Sequence, residues 1–258
     1  MAPGGYPFRA AHPRATITLV PLDLARLADI RRCAEALRAT HPCLDVLVNN
    51  AGVMALPYRE TLDGFEMQFG TNHLGHYALT GLLLDRLRAA PGARVVTVSS
   101  TFHRAGTIRF DDPQWERGYS KWSAYGQSKV ANLLFIYELQ RKLTGAGDGV
   151  LSVAAHPGYA ATNLQAAGPR MEGSSFAERF SEIGNRLFAQ SAAMGALPQL
   201  NAAVAPDVRG GDYFGPSSLG ELWGSPRKVG SNAHSRDVAV ATRLWALSET
   251  LTGVRYPF

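Results

Sequence analysis

Cysteine is scarce in this chain: Cys33 and Cys43 are the only two. Their spacing fits neither a metal site nor a redox pair, and two cysteines make no disulfide framework. A reducing cytoplasm is the expected location, and no metal is expected. Long apolar runs are also missing. No stretch approaches the roughly 18 residues of a membrane span, and the start, Met-Ala-Pro-Gly-Gly-Tyr-Pro-Phe, has no apolar signal core. Clustered positive charge is absent too. The net charge is +5, but the arginines are scattered, so no nucleic-acid partner is expected. There is no internal repeat and no low-complexity tract. What remains is an ordinary globular balance, with 258 residues, 46% hydrophobic and 18% charged. Residues 1–15, rich in Pro, Gly and Ala, show no period and read as an irregular segment. Residues 16–258 read as one domain.

The most informative stretch is Trp122-Ser-Ala-Tyr125-Gly-Gln-Ser-Lys129-Val130 and its continuation. Val130, Leu133, Leu134 and Tyr137 recur at helical spacing, and Gly145 is a plausible stop. On that helix Tyr125 and Lys129, four apart, share one face. A free tyrosine has a pKa of about 10. An ammonium beside it favours phenolate and suits the phenol to exchanging a proton with an alcohol or carbonyl oxygen. Tyr-x-x-x-Lys is also common on plain amphipathic helices, so its weight comes from its surroundings.

Those surroundings alternate strands and helices. Ala15–Val20 alternates and is β-branched, which predicts a strand ended by Pro21-Leu22-Asp23. Ala25–Arg38 reads as a helix. Leu44–Val48 is a short apolar run leading into Asn49-Asn50-Ala51-Gly52, the pattern of a buried parallel strand with a ligand-facing end. Thr61–Leu87 reads as one long helix with Asn72 oddly placed in its middle. Ala93–Val98 is a strand ending in Ser99-Ser100, followed by a polar loop to the tyrosine helix. Gly149–Ala155 is another strand, running into His156-Pro157-Gly158 and Thr162. Residues 164–206 have the broken helical composition of a mobile lid. Gly211–Phe214 is a short last strand and Ser235–Thr252 a closing helix. The alternation argues an α/β fold with a doubly wound parallel sheet, Rossmann-like.

Five motifs, Asn49-Asn-Ala-Gly52, Thr71-Asn-His-Leu-Gly-His76, Val98-Ser-Ser100, Tyr125-Gly-Gln-Ser-Lys129 and His156-Pro-Gly158 with Thr162, stand in the order seen in one family. The chain resembles a short-chain dehydrogenase/reductase, nearest the retinol-dehydrogenase-like and WW-domain-oxidoreductase-like branch. The resemblance implies an oxidoreductase that moves a hydride between NAD or NADP and a small-molecule alcohol or carbonyl substrate. The apolar residues of the 164–206 segment suggest that this substrate is apolar. It implies Tyr125 as proton donor or acceptor, with Lys129 lowering its pKa and holding the nicotinamide ribose. Ser100 would bind the substrate oxygen, and Asn72 would bend its helix to anchor a relay water. Asp23 would contact the adenine, although a plain helix cap is the rival reading. Asn50, Ala51 and Gly52 would line the adenosine side. Pro157, Gly158 and Thr162 would fix the nicotinamide. His73, His76 and His156 read as structural.

The family's opening strand and its Thr-Gly-x-x-x-Gly-x-Gly turn, which seats the pyrophosphate, have no counterpart in these residues. The sheet is therefore expected to be N-terminally truncated. The 15–20 strand should either move across to pair with the Leu44–Val48 strand or pack poorly, leaving an apolar sheet edge open. Two readings follow. One is an NAD(P)-dependent oxidoreductase. The other is a non-catalytic remnant acting through homo-oligomer contacts or partner binding along the 61–87 and 125–143 helices.

Overall fold

The computed structural model describes residues 14–159 and 190–258. A single five-stranded sheet organises them. Its strands are β1 (Val46–Asn49), β2 (Arg94–Val98), β3 (Leu151–Ala155), β4 (Tyr213–Ser218) and β5 (Trp223–Lys228), in the order β1-β2-β3-β4-β5. The first three pairings are parallel, and β4–β5 is antiparallel. The helices are α1 (Leu27–Thr40), α2 (Gly75–Arg88), α3 (Lys121–Gly145), α4 (Ala192–Val204) and α5 (Val238–Thr252).

Period-two alternation gives the sheet two apolar faces. Val95, Ala154 and Tyr213 join one cluster with Leu83, Leu84 and Leu87 of α2 and Leu133, Ile136 and Leu139 of α3. Val96, Val153, Ala155 and Phe214 face the other way, against Ala202 of α4 and Val208. Helices therefore cover both faces, as the alternation of the sequence required. On the outer side of α2 and α3, Tyr77, Phe135, Trp245 and Tyr256 form an aromatic knot, with Trp245 and Tyr256 centroids 4.6 Å apart. The Tyr256 hydroxyl donates to the Tyr77 carbonyl at 2.7 Å and fastens the last residues of the chain to α2.

Residues 15–20 form no strand, which corrects the sequence reading. They contribute no strand to the five-stranded sheet, and Leu19 is 65% exposed. Alternation needs a neighbouring strand to become structure, and among the described residues β1 has a strand partner only on its β2 side. Poor packing, rather than transfer to β1, was the outcome. The open edge of β1 leaves Val46 and Val48 38% and 43% exposed.

Other boundaries move for local reasons. The helix expected from residue 61 starts at Met67. Thr61 instead closes a turn by accepting the Phe65 amide on its hydroxyl at 3.1 Å, and Glu66 caps the helix by accepting the amides of Gln68 and Phe69. The loop after Ser100 contains a 3-10 turn, Thr101–Ala105. The strand expected at 211–214 continues to Ser218, and its antiparallel partner β5 was not foreseen. Trp-Gly-Ser-Pro-Arg-Lys carries a proline and too few apolar residues to signal a strand, which is tolerable only at a sheet edge. Of the expected lid, α4 holds its end, while residues 164–189 lie outside the described residues.

The end of the 3-10 turn lies against the second turn of α3 through two glycines. A Cβ on Gly106 would overlap the Gly126 carbonyl, and a Cβ on Gly126 would stand 3.3 Å from the Phe102 carbonyl oxygen. Gly106→Ala is therefore expected to cost at least about 2 kcal/mol by forcing two backbones apart. Equilibrium urea unfolding would measure it, and an unchanged midpoint would show that the contact is slack.

Candidate active site

The site lies at the carboxyl ends of β1, β2 and β3. The Ser99 amide donates to the Ala155 carbonyl at 2.8 Å, so the serine pair and the His156-Pro157-Gly158 turn leave the sheet side by side. Ser99 faces inward, where its hydroxyl donates to the Lys129 carbonyl at 2.8 Å. Ser100 faces the site. Its hydroxyl caps the 3-10 turn by accepting the Phe102 amide at 3.3 Å and also hydrogen-bonds the Tyr125 phenol. The buried His103 ring holds this turn through a contact of 2.6 Å between its Nδ1 and the Ser100 carbonyl.

Tyr125 and Lys129 share one face of α3, as their spacing required. Both are nearly buried, at 3% and 4% exposure. Burial pushes the Tyr125 phenol up to about 12, and the Ser100 hydrogen bond is what pulls it down. Burial also brings the Lys129 ammonium down to about 8. Lys129 Nζ donates to the Val98 carbonyl at 3.2 Å and lies 5.6 Å from the Tyr125 ring centre. Asn132 Nδ2 donates to the same carbonyl at 3.0 Å. Among the described residues this bond leaves Lys129 two of its three donors.

Asn72 sits in a π-helical turn, Gly70–Leu74, between the short Met67–Phe69 helix and α2. This turn interrupts the long helix expected over 61–87. The Asn72 amide reads both backbone groups of Val53, accepting from N–H at 2.8 Å and donating to C=O at 2.9 Å. Its Nδ2 also donates to Ser128 Oγ at 2.9 Å. Asn72 thus fixes the loop after β1 to α3. Gly52 makes this possible, since a Cβ there would stand 2.8 Å from Asn72 Oδ1 and 3.7 Å from Lys129 Nζ.

The structure brings together Gly52, Asn72, Ser100, Tyr125 and Lys129, with Pro157 and Gly158 on the adjoining strand end. Asn50 and Ala51 leave β1 exposed to solvent. Asp23 is not among them. It sits in an exposed turn before α1, and its carboxylate accepts the Ala25 amide at 2.9 Å. Strictly it is not the α1 cap either, because the Leu27 amide goes to Asp63 Oδ2 at 2.7 Å. The strand end that would have carried Asp23 over the sheet does not form. Thr162 lies outside the described residues. Among the described residues no group of three or more His, Cys, Asp or Glu could hold a metal ion.

Sequence reasoning passed over Phe102 and Trp122. Their rings stack at 5.1 Å between centres, and Phe102 meets the Tyr125 ring edge-on at 5.5 Å. Both remain exposed, at 40% and 45%. Two exposed aromatics beside a catalytic-type phenol were visible as residues, but only the 3-10 turn puts them together.

A mostly parallel sheet with helices on both faces, and with a serine, a buried tyrosine and a buried lysine at its carboxyl edge, places this protein in the Rossmann-like α/β class. The sequence profile described as short chain dehydrogenase matches residues 9–173, and the chain belongs to that family. It is similar to Retinol dehydrogenase 14 of Mus musculus, with 40% identity over 235 residues that cover 90% of this chain and 66% of the relative. It is 42% identical to Retinol dehydrogenase 13 of Homo sapiens over 239 residues, covering 92% and 69%. The chain thus spans about two thirds of the length of these relatives. A crystal structure of an uncharacterized protein from Mycobacterium paratuberculosis matches with a TM-score of 0.71 and 44% identity, covering 92% of this chain and 76% of that one.

Three histidines near the site are buried neutral. Burial pushes His73 and His156 down to about 3 and His76 to about 4. In the unfolded chain each would protonate near 6.5. Their folded values are depressed, so the stability they permit is complete above pH 6.5 and is lost as the pH falls toward 3–4. Each ring is expected to remove on the order of 2 kcal/mol by pH 5. Unfolding midpoints measured from pH 7 to 4.5 check this, and a flat profile would contradict it.

Proposed function

We propose that this chain is an NAD(P)-dependent oxidoreductase that interconverts an apolar alcohol and its carbonyl compound. The observation that carries the reading is the convergence of the Ser100 hydroxyl, the Tyr125 phenol and the Lys129 ammonium beside Gly52 and Gly158. The nicotinamide half of a dinucleotide fits this edge. Lys129 has donors to spare for ribose hydroxyls, Gly52 has no side chain in the way, and Gly158 turns sharply with φ at 67°. When bound, the nicotinamide ring supplies or takes up the hydride.

The residues of the chain do the rest. Ser100 Oγ and Tyr125 Oη flank the position of the substrate oxygen. With its pKa near 12, Tyr125 holds its proton at neutral pH, which is the state that carbonyl reduction needs from a proton donor. In the alcohol-oxidising direction the same phenol must first lose that proton, and the positive charge of the Lys129 ammonium nearby favours the loss. Ser99, His103 and Asn72 touch neither substrate nor cofactor in this reading. They hold Lys129, Ser100 and the Gly52 loop in place.

The Phe102–Trp122 stack supports an apolar substrate, since it offers an exposed aromatic wall beside the reacting groups. The names of the relatives, which speak of retinol, agree with such a substrate. The reading as a non-catalytic oligomer finds less support. Of the large apolar side chains on residues 61–87 and 125–143, only Leu62 is exposed. Two free cysteines, one buried and one exposed, suit a reducing compartment.

Titration with NADH and NADPH, followed by energy transfer from the four tryptophans, tests cofactor binding. Micromolar binding is expected, and a folded chain that binds neither would overturn the reading. Tyr125→Phe is expected to lower kcat about 10²–10⁴-fold with cofactor affinity unchanged. A loss of affinity instead would make Tyr125 a binding residue. Trp122→Ala is expected to raise KM about tenfold for long-chain or retinoid alcohols and to leave small alcohols unaffected. An equal effect on both would dismiss the aromatic wall.

A further inference from the structure

The connection from β4 to β5 turns inward. Leu219, Gly220 and Glu221 all have left-handed φ, at 51°, 67° and 70°. For a residue with a Cβ that conformation costs on the order of 1 kcal/mol. It carries the Glu221 carboxylate off the surface, to 9% exposure, although a charged side chain at a hairpin tip would ordinarily be solvated. One carboxylate oxygen accepts Arg104 Nη2 at 2.8 Å. The other faces His156 Nε2 at 3.3 Å.

The state of His156 follows from its other nitrogen. The Gly158 amide lies 3.3 Å from Nδ1 and donates to it, so Nδ1 is the unprotonated nitrogen and the proton sits on Nε2. Both His156 Nε2 and Glu221 Oε2 are buried, and neither has a well-formed hydrogen bond among the described residues. They face one another, and a small rotation of the carboxylate joins them. Gly215 on β4 leaves room for the ring, since a Cβ there would overlap Nε2. Burial holds the ring neutral, pushing it down to about 3, so it acts through its tautomer rather than its charge.

The backbones interlock at the same place. The Tyr159 amide donates to the Leu222 carbonyl at 3.0 Å, and that carbonyl fills the space where a Cβ of Gly158 would stand. Arg104 belongs to the 3-10 turn that begins at Ser100. Three segments therefore meet at one carboxylate: the Ser100 turn, the His156–Gly158 turn and the β4–β5 tip.

We infer that Glu221 is a positioning residue. It fixes the Nε2–H tautomer of His156, which holds the Gly158 amide, and through Arg104 it sets that turn against the turn carrying Ser100. Its meaning for catalysis rests on the nicotinamide reading of Pro157 and Gly158 proposed above, whereas its geometry does not.

The test is the tautomer of His156, read from its side-chain ¹⁵N shifts in the whole chain, together with hydrogen exchange at the Gly158 amide. The wild type is expected to show Nε2–H as the dominant form and slow exchange. Glu221→Ala should mix the tautomers and speed exchange at Gly158 tenfold or more. Glu221→Gln keeps an acceptor oxygen and should restore most of both. A carboxylate that only filled space would alter stability and leave the tautomer alone. A wild type holding Nδ1–H overturns the inference whether or not any variant folds, and so does an unchanged tautomer and exchange rate in Glu221→Ala. NADPH affinity is measured alongside. If the tautomer responds as stated but no nucleotide binds, the positioning role stands and the nicotinamide reading of the turn falls.

Discussion

Three hydrogen bonds tie the end of β2 to one turn of α3, and the candidate site hangs on them. The Val98 carbonyl receives both Lys129 Nζ and Asn132 Nδ2, while the Ser99 hydroxyl reaches back to the Lys129 carbonyl. A strand-end carbonyl with no strand partner needs a donor, and α3 supplies two. In return the strand end satisfies a buried ammonium that would otherwise be costly to enclose. Because the bonds run in both directions, the helix can neither slide nor rotate past the strand. Tyr125, one turn earlier, inherits its place beside Ser100 from that lock.

Around this lock the polar residues divide their labour by direction. Those that point inward, Asn49, Ser99, Asn72 and Ser128, spend hydrogen bonds on backbone or on neighbouring side chains, Asn49 Nδ2 on the hydroxyls of Thr80 and Thr97. Those that point off the carboxyl edge, Ser100 and Lys129, keep bonding capacity. Burial then sets the electrostatics. The phenol of Tyr125 rises and the ammonium of Lys129 falls, so the pair is less polarised in this state than their proximity alone would suggest.

Much of this was legible in the sequence because it depends on local period. The faces of β2 and β3 and the shared face of Tyr125 and Lys129 follow from spacing, whereas spacing read 61–87 as one unbroken helix and did not announce the π-helical turn around Asn72. What was not legible depended on partners distant in the chain. Residues 15–20 have the pattern of a strand and lack the neighbour that would make them one. Asp23 lost its expected place with that strand, and the α1 amide it might have capped is served by Asp63, 36 residues further on. Phe102 and Trp122 meet because Gly106 and Gly126 let two backbones touch, which no periodicity announces. No motif marks Glu221 in the sequence, and its left-handed backbone sends it inward.

The π-helical turn at Gly70–Leu74 can also be regarded as an inserted residue. An α-helix advances about 100° per residue. Removing one residue there would restore an unbroken helix and rotate everything before it by about that angle relative to α2. Glu66 and Gln68, which now hold Tyr119 and the Ala55 and Lys121 backbones, would swing off the contacts they make. The extra residue thus works as a fixed angular offset between two halves of one helix. One half is phased to the sheet, and the other to the loops that frame the site. Length variation, which surface loops absorb freely, would be felt here at both ends at once.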